Sequence, residues 1–194
     1  LLVGLFITIL FPALSQSQQA NQLSLAGNWE LRLDPEDQGL KAHWWNSKFE
    51  DQVRLPGSLT ENDKGNKVTL ETPWTGDIFD STYFKSDACK KYRTGDIKIP
   101  FWLKPNKYYA GVGWERRTID VPENCSKKRI ILHLERCHWE TSVLINGQFA
   151  GSQDSLVAPH DYEVGTYLKP GKNVITIRVD NRTKLHVGPN SHSI

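Results

Sequence analysis

Five acidic side chains in the C-terminal half of the sequence are the first candidates for acid–base chemistry: Glu135, Glu140, Asp154, Asp161 and Glu163. Two carboxylic acids about 5–5.5 Å apart can cleave a glycosidic bond, one as acid/base and the other as nucleophile. None of the five lies in a recognisable catalytic motif. Glu135 is followed directly by Arg136, which favours a local charge pair at a strand end. We therefore predict no catalytic residue in this chain.

The sequence gives little support for metal chemistry. His138, His160 and His186 are single histidines without a partner at ligand spacing, and no C-x-x-C or H-x-x-H pattern suggests zinc. Asp154 and Asp161 flank a turn-rich stretch whose oxygen atoms suit a structural calcium, which stays open as an alternative. We predict neither a bound metal nor a cofactor.

The three cysteines are predicted to be free. Cys125 and Cys137 bracket an extended segment. Seven extended residues span roughly 20 Å, whereas a disulfide needs Cα atoms about 4.4–6.8 Å apart. Cys89 could pair with either of them, but it lies in a polar, loop-like region.

The strands that must position these side chains are clearest between residues 129 and 181. Three apolar runs of strand length occupy residues 129–134, 141–145 and 174–180. The last run alternates, with Ile175, Ile177 and Val179 on one side and polar residues on the other, as a half-buried strand requires. Asn146-Gly147 predicts a type I′ hairpin after the second run, and Pro170-Gly171 predicts a turn before the third.

The N-terminal half continues the same pattern. Strands are predicted within 25–33, at 53–55 and over 112–121, with a short helix possible within 40–48. Residues 60–105 mix glycine, charge and aromatics, and we expect one or two short strands or a helical turn there. Short strands separated by turns predict an all-β, mostly antiparallel sandwich.

The order of these motifs resembles the N-terminal sugar-binding domain of glycoside hydrolase family 2, which contains β-galactosidases, β-glucuronidases and β-mannosidases. The matching segments include Leu25-Ala26-Gly27-Asn28-Trp29, Arg54-Leu55-Pro56-Gly57, Gly113-Trp114-Glu115-Arg116 through Val121-Pro122, the Asn146-Gly147 hairpin and the strand ending at Asp180-Asn181. Glu115 stands where that family usually has an aromatic residue. The resemblance covers about residues 25–181.

The resemblance implies a jelly-roll sandwich that is galactose-binding-domain-like, in a hydrolase of O-glycosyl bonds, most simply a β-galactosidase. The family carries both catalytic glutamates on a (β/α)₈ barrel that follows in sequence, and no alternating strand–helix region occurs here. The expected partners are a carbohydrate substrate and the protein's own downstream barrel. A free-standing carbohydrate-binding module and a structural sandwich domain without a sugar site are the alternatives.

The resemblance also implies where substrate would approach. The substrate-facing segment of the family follows the last strand, and here it contains Asn190, Ser191 and His192, which can bond sugar hydroxyls. Tyr109 stands near a second family contact, where some relatives place Asn. Trp114 and Trp139 could stack on sugars, although core packing is favoured for Trp114, and the role of Trp44-Trp45 stays open.

Composition and termini set the context. The net charge of +2 and scattered cations disfavour nucleic-acid binding, and the run at 127–129 is interpreted as a solvated strand end. Leu1 and the lack of any Met indicate a truncated start, and we expect residues 1–19 to be a signal peptide with a linker and 20–194 to be the sandwich domain. These features predict a periplasmic or secreted protein, with no membrane attachment after cleavage. An uncleaved membrane anchor at the N-terminus is the alternative.

Overall fold

The fold is an antiparallel β-sandwich, seen in a computed structural model that describes residues 22–69, 72, 86–92, 107–125, 128–182 and 184. The strands in these ranges are β1 (Gly27–Asp34), β2 (Asp51–Leu55), β3 (Asn66–Lys67), β4 (Lys107–Tyr108), β5 (Val112–Val121), β6 (Ile131–Leu134), β7 (Glu140–Ile145), β8 (Gln148–Asp154), β9 (His160–Glu163) and β10 (Gly171–Asp180). Short 3₁₀ turns occupy Trp44–Asn46, Asp87–Tyr92 and Glu123–Cys125. The predicted all-β, antiparallel class is confirmed.

Six strands form the main sheet, in the order β2-β1-β5-β10-β7-β8. Its centre is the ladder between β5 and β10, which are paired from Gly171 opposite Val121 to Asp180 opposite Val112. Neighbours in this sheet are mostly distant in sequence, as a jelly-roll connection requires. Two small sheets, β6-β9 and β3-β4, complete the described strands.

The inner face of the main sheet carries the larger core. The register places Leu31, Ile177 and Val143 in one row across β1, β10 and β7, and each of them is buried. The β6-β9 ribbon covers this row with Leu132 and Tyr162, which face inward from paired positions. The alternation predicted for the last strand is therefore confirmed.

Among the described residues, it is the loop of residues 35–50 that covers the outer face. Phe49 from this loop joins Val112, Trp114 and Leu144 in a smaller core, against which Trp44 and Trp45 pack. The indole Nε1 of Trp114 donates to Asp34 Oδ2 at 3.0 Å, and Gly39 N donates to the same oxygen at 2.7 Å. A Cβ on Gly39 would lie 2.4 Å from Trp114 Nε1, so only glycine permits this approach.

The hairpin prediction is also confirmed. Asn146 and Gly147 both have positive φ, at 52° and 80°, and join β7 to β8. The predicted short helix within 40–48 is a 3₁₀ turn, Trp44–Asn46. Most of residues 60–105 and all of residues 1–21 lie outside the described residues. Among the helices that are described, none is long and apolar enough to cross a membrane.

A buried polar network links the two layers. Thr141 on β7 bonds His160 Nδ1 at 2.6 Å and the Tyr162 hydroxyl at 2.7 Å. The Tyr162 hydroxyl also donates to the Thr141 carbonyl at 2.9 Å. Buried polar atoms need such partners, because an unpaired group costs about 1–3 kcal/mol. The network therefore fixes the small sheet on the main one.

The substitution Tyr162→Phe tests this link. It removes a hydroxyl with two buried bonds, and we expect the free energy of unfolding to fall by about 1–2 kcal/mol. Tyr167→Phe is the matched control, because within the described ranges the Tyr167 hydroxyl makes no hydrogen bond. Urea denaturation of both variants measures the difference, and equal losses would contradict the assignment.

Candidate functional site

Three of the five candidate acids lie on the surface and are paired locally. Glu163 accepts from Arg129 Nε at 3.1 Å, and Asp161 lies 2.7 Å from His133 Nδ1. Glu135 lies 3.6 Å from Arg136, as predicted for a local charge pair. All of these side chains are more than half exposed, so water screens the pairs and none is held in a closed cleft.

Glu140 and Asp154 are the two candidate acids that the register brings together. They are directly opposite each other at the end of the β7–β8 hairpin. Asp154 is exposed, whereas Glu140 is bound to Arg178 and Lys184. Glu140 therefore acts as a charge partner in the sheet, and this geometry does not suggest an acid/base–nucleophile pair.

The most strongly coupled groups form a cluster at the end of β10, which we call the Arg178 cluster. Its members are three cations and three carboxylates: Arg178, Arg182, Lys184, Asp37, Glu140 and Asp180. The Arg178 residue is only 4% exposed. Its Nη2 bonds both oxygens of Asp37, at 2.9 and 3.0 Å, and its Nη1 bonds Glu140 at 3.2 Å.

Arg182 ties the cluster together from the other side. Its Nη2 lies 2.7 Å from Asp37 and 2.6 Å from Asp180. Burial opposes ionisation of Asp180, but the Arg182 bonds outweigh it and hold the pKa at about 2. The same balance holds the pKa of Asp37 below its usual value, with Arg178 and Arg182 as the donors. These carboxylates are therefore charged at every physiological pH.

The residue after β10 is fixed as well. Asn181 Oδ1 accepts from Gly111 N at 2.7 Å, and Asn181 Nδ2 donates to the Tyr109 carbonyl at 2.8 Å. The Tyr109 hydroxyl donates to Val112 O at 2.6 Å and accepts from Asp34 N at 3.0 Å, and burial raises its pKa to about 12. Tyr109 thus holds the backbone here, and its predicted contact with substrate stays a prediction. Asn190, Ser191 and His192 lie outside the described residues.

Glu115 occupies an unusual place on the inner face. The register puts it between Leu31 and Ile177, where a carboxylate has few polar neighbours. Burial raises its pKa to about 7, and it makes no hydrogen bond or ion pair within the described ranges. Burial, and after it the charge of Glu115, raises the pKa of the Cys137 thiol to about 11.

The cysteines, Trp114, Trp139 and the proposed calcium ligands are the remaining candidates from the sequence. Cys125 and Cys137 are free, as predicted, while the Cys89 side chain lies outside the described atoms. Trp114 is fully buried, as favoured, and Trp139 is half-buried. The described residues contain no group of three or more His, Cys, Asp or Glu placed to hold a metal ion, and the Asp154–Asp161 region is no exception.

The sequence interpretation missed the Arg178 cluster. The alternation of β10 correctly put Arg178 on the polar side of the strand, but that side was interpreted as facing solvent. The available signal was the close spacing of Arg178, Asp180, Arg182 and Lys184, which concentrates charge at one strand end. Asp37 carried no signal, because it lies 141 positions away from Arg178.

Comparison with known proteins finds similarity to proteins named β-glucuronidase. No protein-family model matches the sequence. A putative β-glucuronidase from Formosa agariphila is 32% identical over 72 residues, which cover 37% of this chain and 7% of that protein. A β-glucuronidase from Paenibacillus borealis is 23% identical over 175 residues, 89% of this chain and 23% of that protein.

Solved structures agree on the fold. The β-glucuronidase of Lactobacillus rhamnosus superimposes with a TM-score of 0.54 and 17% identity, over 81% of this chain and 20% of that one. The Ruminococcus gnavus β-glucuronidase in complex with D-glucuronic acid superimposes with a TM-score of 0.52 and 22% identity, over 82% of this chain and 21% of that one. The chain spans less than a quarter of the length of each of these relatives. It is thus related to glycoside hydrolases and has a fold that they contain.

Substitution of Arg178 tests the cluster. Arg178→Met removes the buried partner of Asp37 and Glu140, which keep Arg182 and Lys184, and we expect a loss of about 1–3 kcal/mol in the free energy of unfolding. Arg129→Met removes an exposed pair by the same chemical change and should cost about 0–1 kcal/mol. Urea denaturation compares the two variants. If Arg178→Met proved as mild as Arg129→Met, the cluster would not be a structural requirement.

Ionisation of Glu115 should make the fold weaker with rising pH. The folded pKa of about 7 exceeds the ordinary value of 4.5, so the unfolded chain loses its proton first as pH rises. The contribution to stability is therefore complete below pH 4.5 and is lost as pH rises through about 7, by roughly 3 kcal/mol.

The variant Glu115→Gln isolates this effect. We expect it to lack this decline and to be more stable than the unsubstituted chain at pH 8, whereas the exposed Glu163→Gln should keep the decline. Unfolding midpoints measured from pH 4 to pH 8 give the comparison. Identical pH profiles for Glu115→Gln and the unsubstituted chain would show that ionisation of Glu115 does not cause the decline.

Proposed function

We propose that this chain is the non-catalytic front domain of a glycoside hydrolase of the family 2 type, and that a separate barrel carries the catalytic acids. The observation that carries the proposal is the superposition of 82% of this chain on only 21% of a β-glucuronidase bound to D-glucuronic acid. A part of that size leaves ample chain for a catalytic domain. The sandwich would support the barrel and border the mouth of its active site.

The carboxylates support a non-catalytic role. Glu135 and Glu163 are paired with arginines at the surface, where Asp161 contacts His133. Asp154 is exposed, and Glu140 is bound in the Arg178 cluster. A retaining glycosidase needs two acids free to exchange a proton and form a covalent bond. Glu115 has a raised pKa, but it faces the inner core as a single acid.

The fixed exit of β10 supports a positioning role. Asn181 is bonded to Tyr109 and Gly111, and Arg182 is paired with Asp37 and Asp180. The chain beyond β10 therefore leaves the sandwich from an anchored point. That is the arrangement expected if Asn190, Ser191 and His192 are to be presented to a neighbouring active site.

The substrate we favour is a β-glucuronide. The sequence alone suggested a β-galactoside, and that stays a prediction without support from the relatives. The two relatives and the two solved structures named above are β-glucuronidases by name, which supports a uronic acid glycoside. Export to the periplasm or the cell exterior also stays a prediction, since residues 1–19 lie outside the described range.

A free-standing carbohydrate-binding module is the second candidate. It has the same fold and also needs no catalytic acids, so geometry does not separate it from the first. The reading frame of the gene separates the two candidates. A stop codon shortly after Ile194 would favour the module and contradict the proposal. A continuing frame that encodes alternating strands and helices with glutamates at strand ends would favour the hydrolase.

Activity measurements test the proposal directly. The purified 194-residue chain should release no aryl group from aryl β-D-glucuronide or aryl β-D-galactoside above the buffer rate. The longer polypeptide encoded by the continuing reading frame should hydrolyse the aryl glucuronide faster than the aryl galactoside. Turnover by the 194-residue chain that persists through further purification would overturn the non-catalytic assignment, and a preference for the galactoside would overturn the substrate assignment.

A further inference from the structure

The outer face carries a group of aromatic and basic side chains that the proposed function does not use. Residues 41–48, which we call the basic aromatic segment, have lysine at both ends and contain His43, Trp44 and Trp45. No acidic residue interrupts this segment. The 3₁₀ turn Trp44–Asn46 holds the two tryptophans on the main sheet, where both are partly exposed.

Arg32 of β1 lies beneath the first tryptophan. Its guanidinium carbon is 3.5 Å from the centre of the Trp44 ring, and its Nη1 donates to Ser47 Oγ at 3.3 Å. A guanidinium that stacks on an indole and also donates a hydrogen bond is held in one orientation. Arg32 is therefore a fixed cation at the edge of an aromatic surface.

The second tryptophan extends this surface toward the β7–β8 hairpin. The Trp45 ring lies 6.2 Å from Trp114 and 4.9 Å from His43, and a Cβ on Gly147 would be 3.4 Å from Trp45. The register places Phe149 opposite Leu144, which belongs to the core on which Trp45 packs. Phe149 is 57% exposed, although burial of such a ring is favourable.

The cations of this surface lack carboxylate partners. Within the described ranges Arg32, Lys41 and Lys48 form no ion pair, whereas Arg116 on the same face is paired with Glu30. Lys41 and Lys48 are exposed. Unpaired cations beside exposed aromatic rings form a surface that attracts an anion with an apolar face.

We propose that the basic aromatic segment, with Arg32 and Phe149, is a binding site for a glycan chain that contains uronic acid residues. The apolar face of a pyranose ring packs on Trp45 and Phe149, and the uronate carboxylates face Arg32, Lys41 and Lys48. This inference rests on the proposed function, which supplies a uronic acid glycoside as substrate. The site would hold a polymer on the sandwich while the barrel cleaves it.

The charge pattern disfavours other polyanions. The whole chain has a net charge of +2, and the unpaired cations of this surface are only Arg32, Lys41 and Lys48, which lie on or near the tryptophans in the described residues. Nucleic-acid backbones require a broad basic face with many phosphate contacts. A short anionic glycan requires only a few cations spaced along stacked rings, and this surface offers that arrangement.

Binding of a defined oligosaccharide tests the site. Hyaluronan hexasaccharide, in which glucuronic acid alternates with a neutral sugar, is added to the 194-residue chain, and tryptophan fluorescence and calorimetry are recorded. Chitohexaose serves as the neutral probe. We expect saturable binding of the hyaluronan oligosaccharide that weakens with added salt, and no comparable binding of chitohexaose.

One double variant and one single variant, both at exposed residues, test which side chains bind the oligosaccharide without disturbing the core. Lys41→Ala/Lys48→Ala should weaken hyaluronan binding about fivefold or more, and Phe149→Ser should weaken it by a similar factor. The matched control is Lys128→Ala/Lys169→Ala, which removes the same charge from exposed residues near Gly165. The control should bind as the unsubstituted chain does.

Each outcome decides the matter. No binding, equal binding of chitohexaose, or equal weakening by the control pair would overturn the site, and so would stronger binding of single-stranded DNA. If the longer polypeptide hydrolyses aryl glucuronide while the 194-residue chain binds no hyaluronan oligosaccharide, this inference fails and the proposed function stands. If the chain binds but no polypeptide hydrolyses, the site stands and the hydrolase proposal fails.

Discussion

The buried charge of Arg178 is the constraint on which the outer face depends. A guanidinium removed from water must be paired, because an uncompensated buried charge costs on the order of 3–5 kcal/mol. Its partners come from separate places: Asp37 from the loop after β1 and Glu140 from the start of β7. Pairing Arg178 therefore requires the loop of residues 35–50 to lie on the main sheet. The same loop brings Gly39 over Trp114 and sets Trp44 and Trp45 on the surface.

The two faces of the main sheet are closed by different physical means. The inner face is closed by apolar packing against the β6-β9 ribbon, with one polar network through Thr141 and Tyr162. The outer face is covered by the loop of residues 35–50. This loop is held on the sheet by ion pairs and by the hydrogen bonds that Trp114 and Gly39 donate to Asp34. Apolar packing needs side chains of complementary shape, whereas ion pairs need opposite charges at fixed positions. The outer face therefore carries the charges and the exposed aromatic rings on which the proposed glycan site rests.

Strand positions could be predicted from the sequence because their signals are local. The alternation around Ile175 and Ile177 and the Asn146-Gly147 turn each involve residues within a few positions of one another, and both predictions were confirmed. The site depends on distant pairs instead. Nothing near Asp37 indicates Arg178, and nothing near Glu115 indicates that its strand neighbours would be Leu31 and Ile177. A two-residue period identifies the polar side of a strand, but not whether a loop covers that side.

The contrast between Glu115 and the Arg178 cluster shows how the sandwich divides its charges. Asp37 and Asp180 are buried in part, but cations hold their pKa values low and keep them ionised. Glu115 lacks a cation, and burial alone raises its pKa to about 7. Both acids near β10 are therefore permanent charges that can anchor the exit at Asn181 and Arg182. Glu115 can exchange a proton near neutral pH, but it is a single acid whose strand neighbours are the apolar Leu31 and Ile177. This anchored exit supports the proposed role of the chain as a domain that positions chemistry carried by other residues.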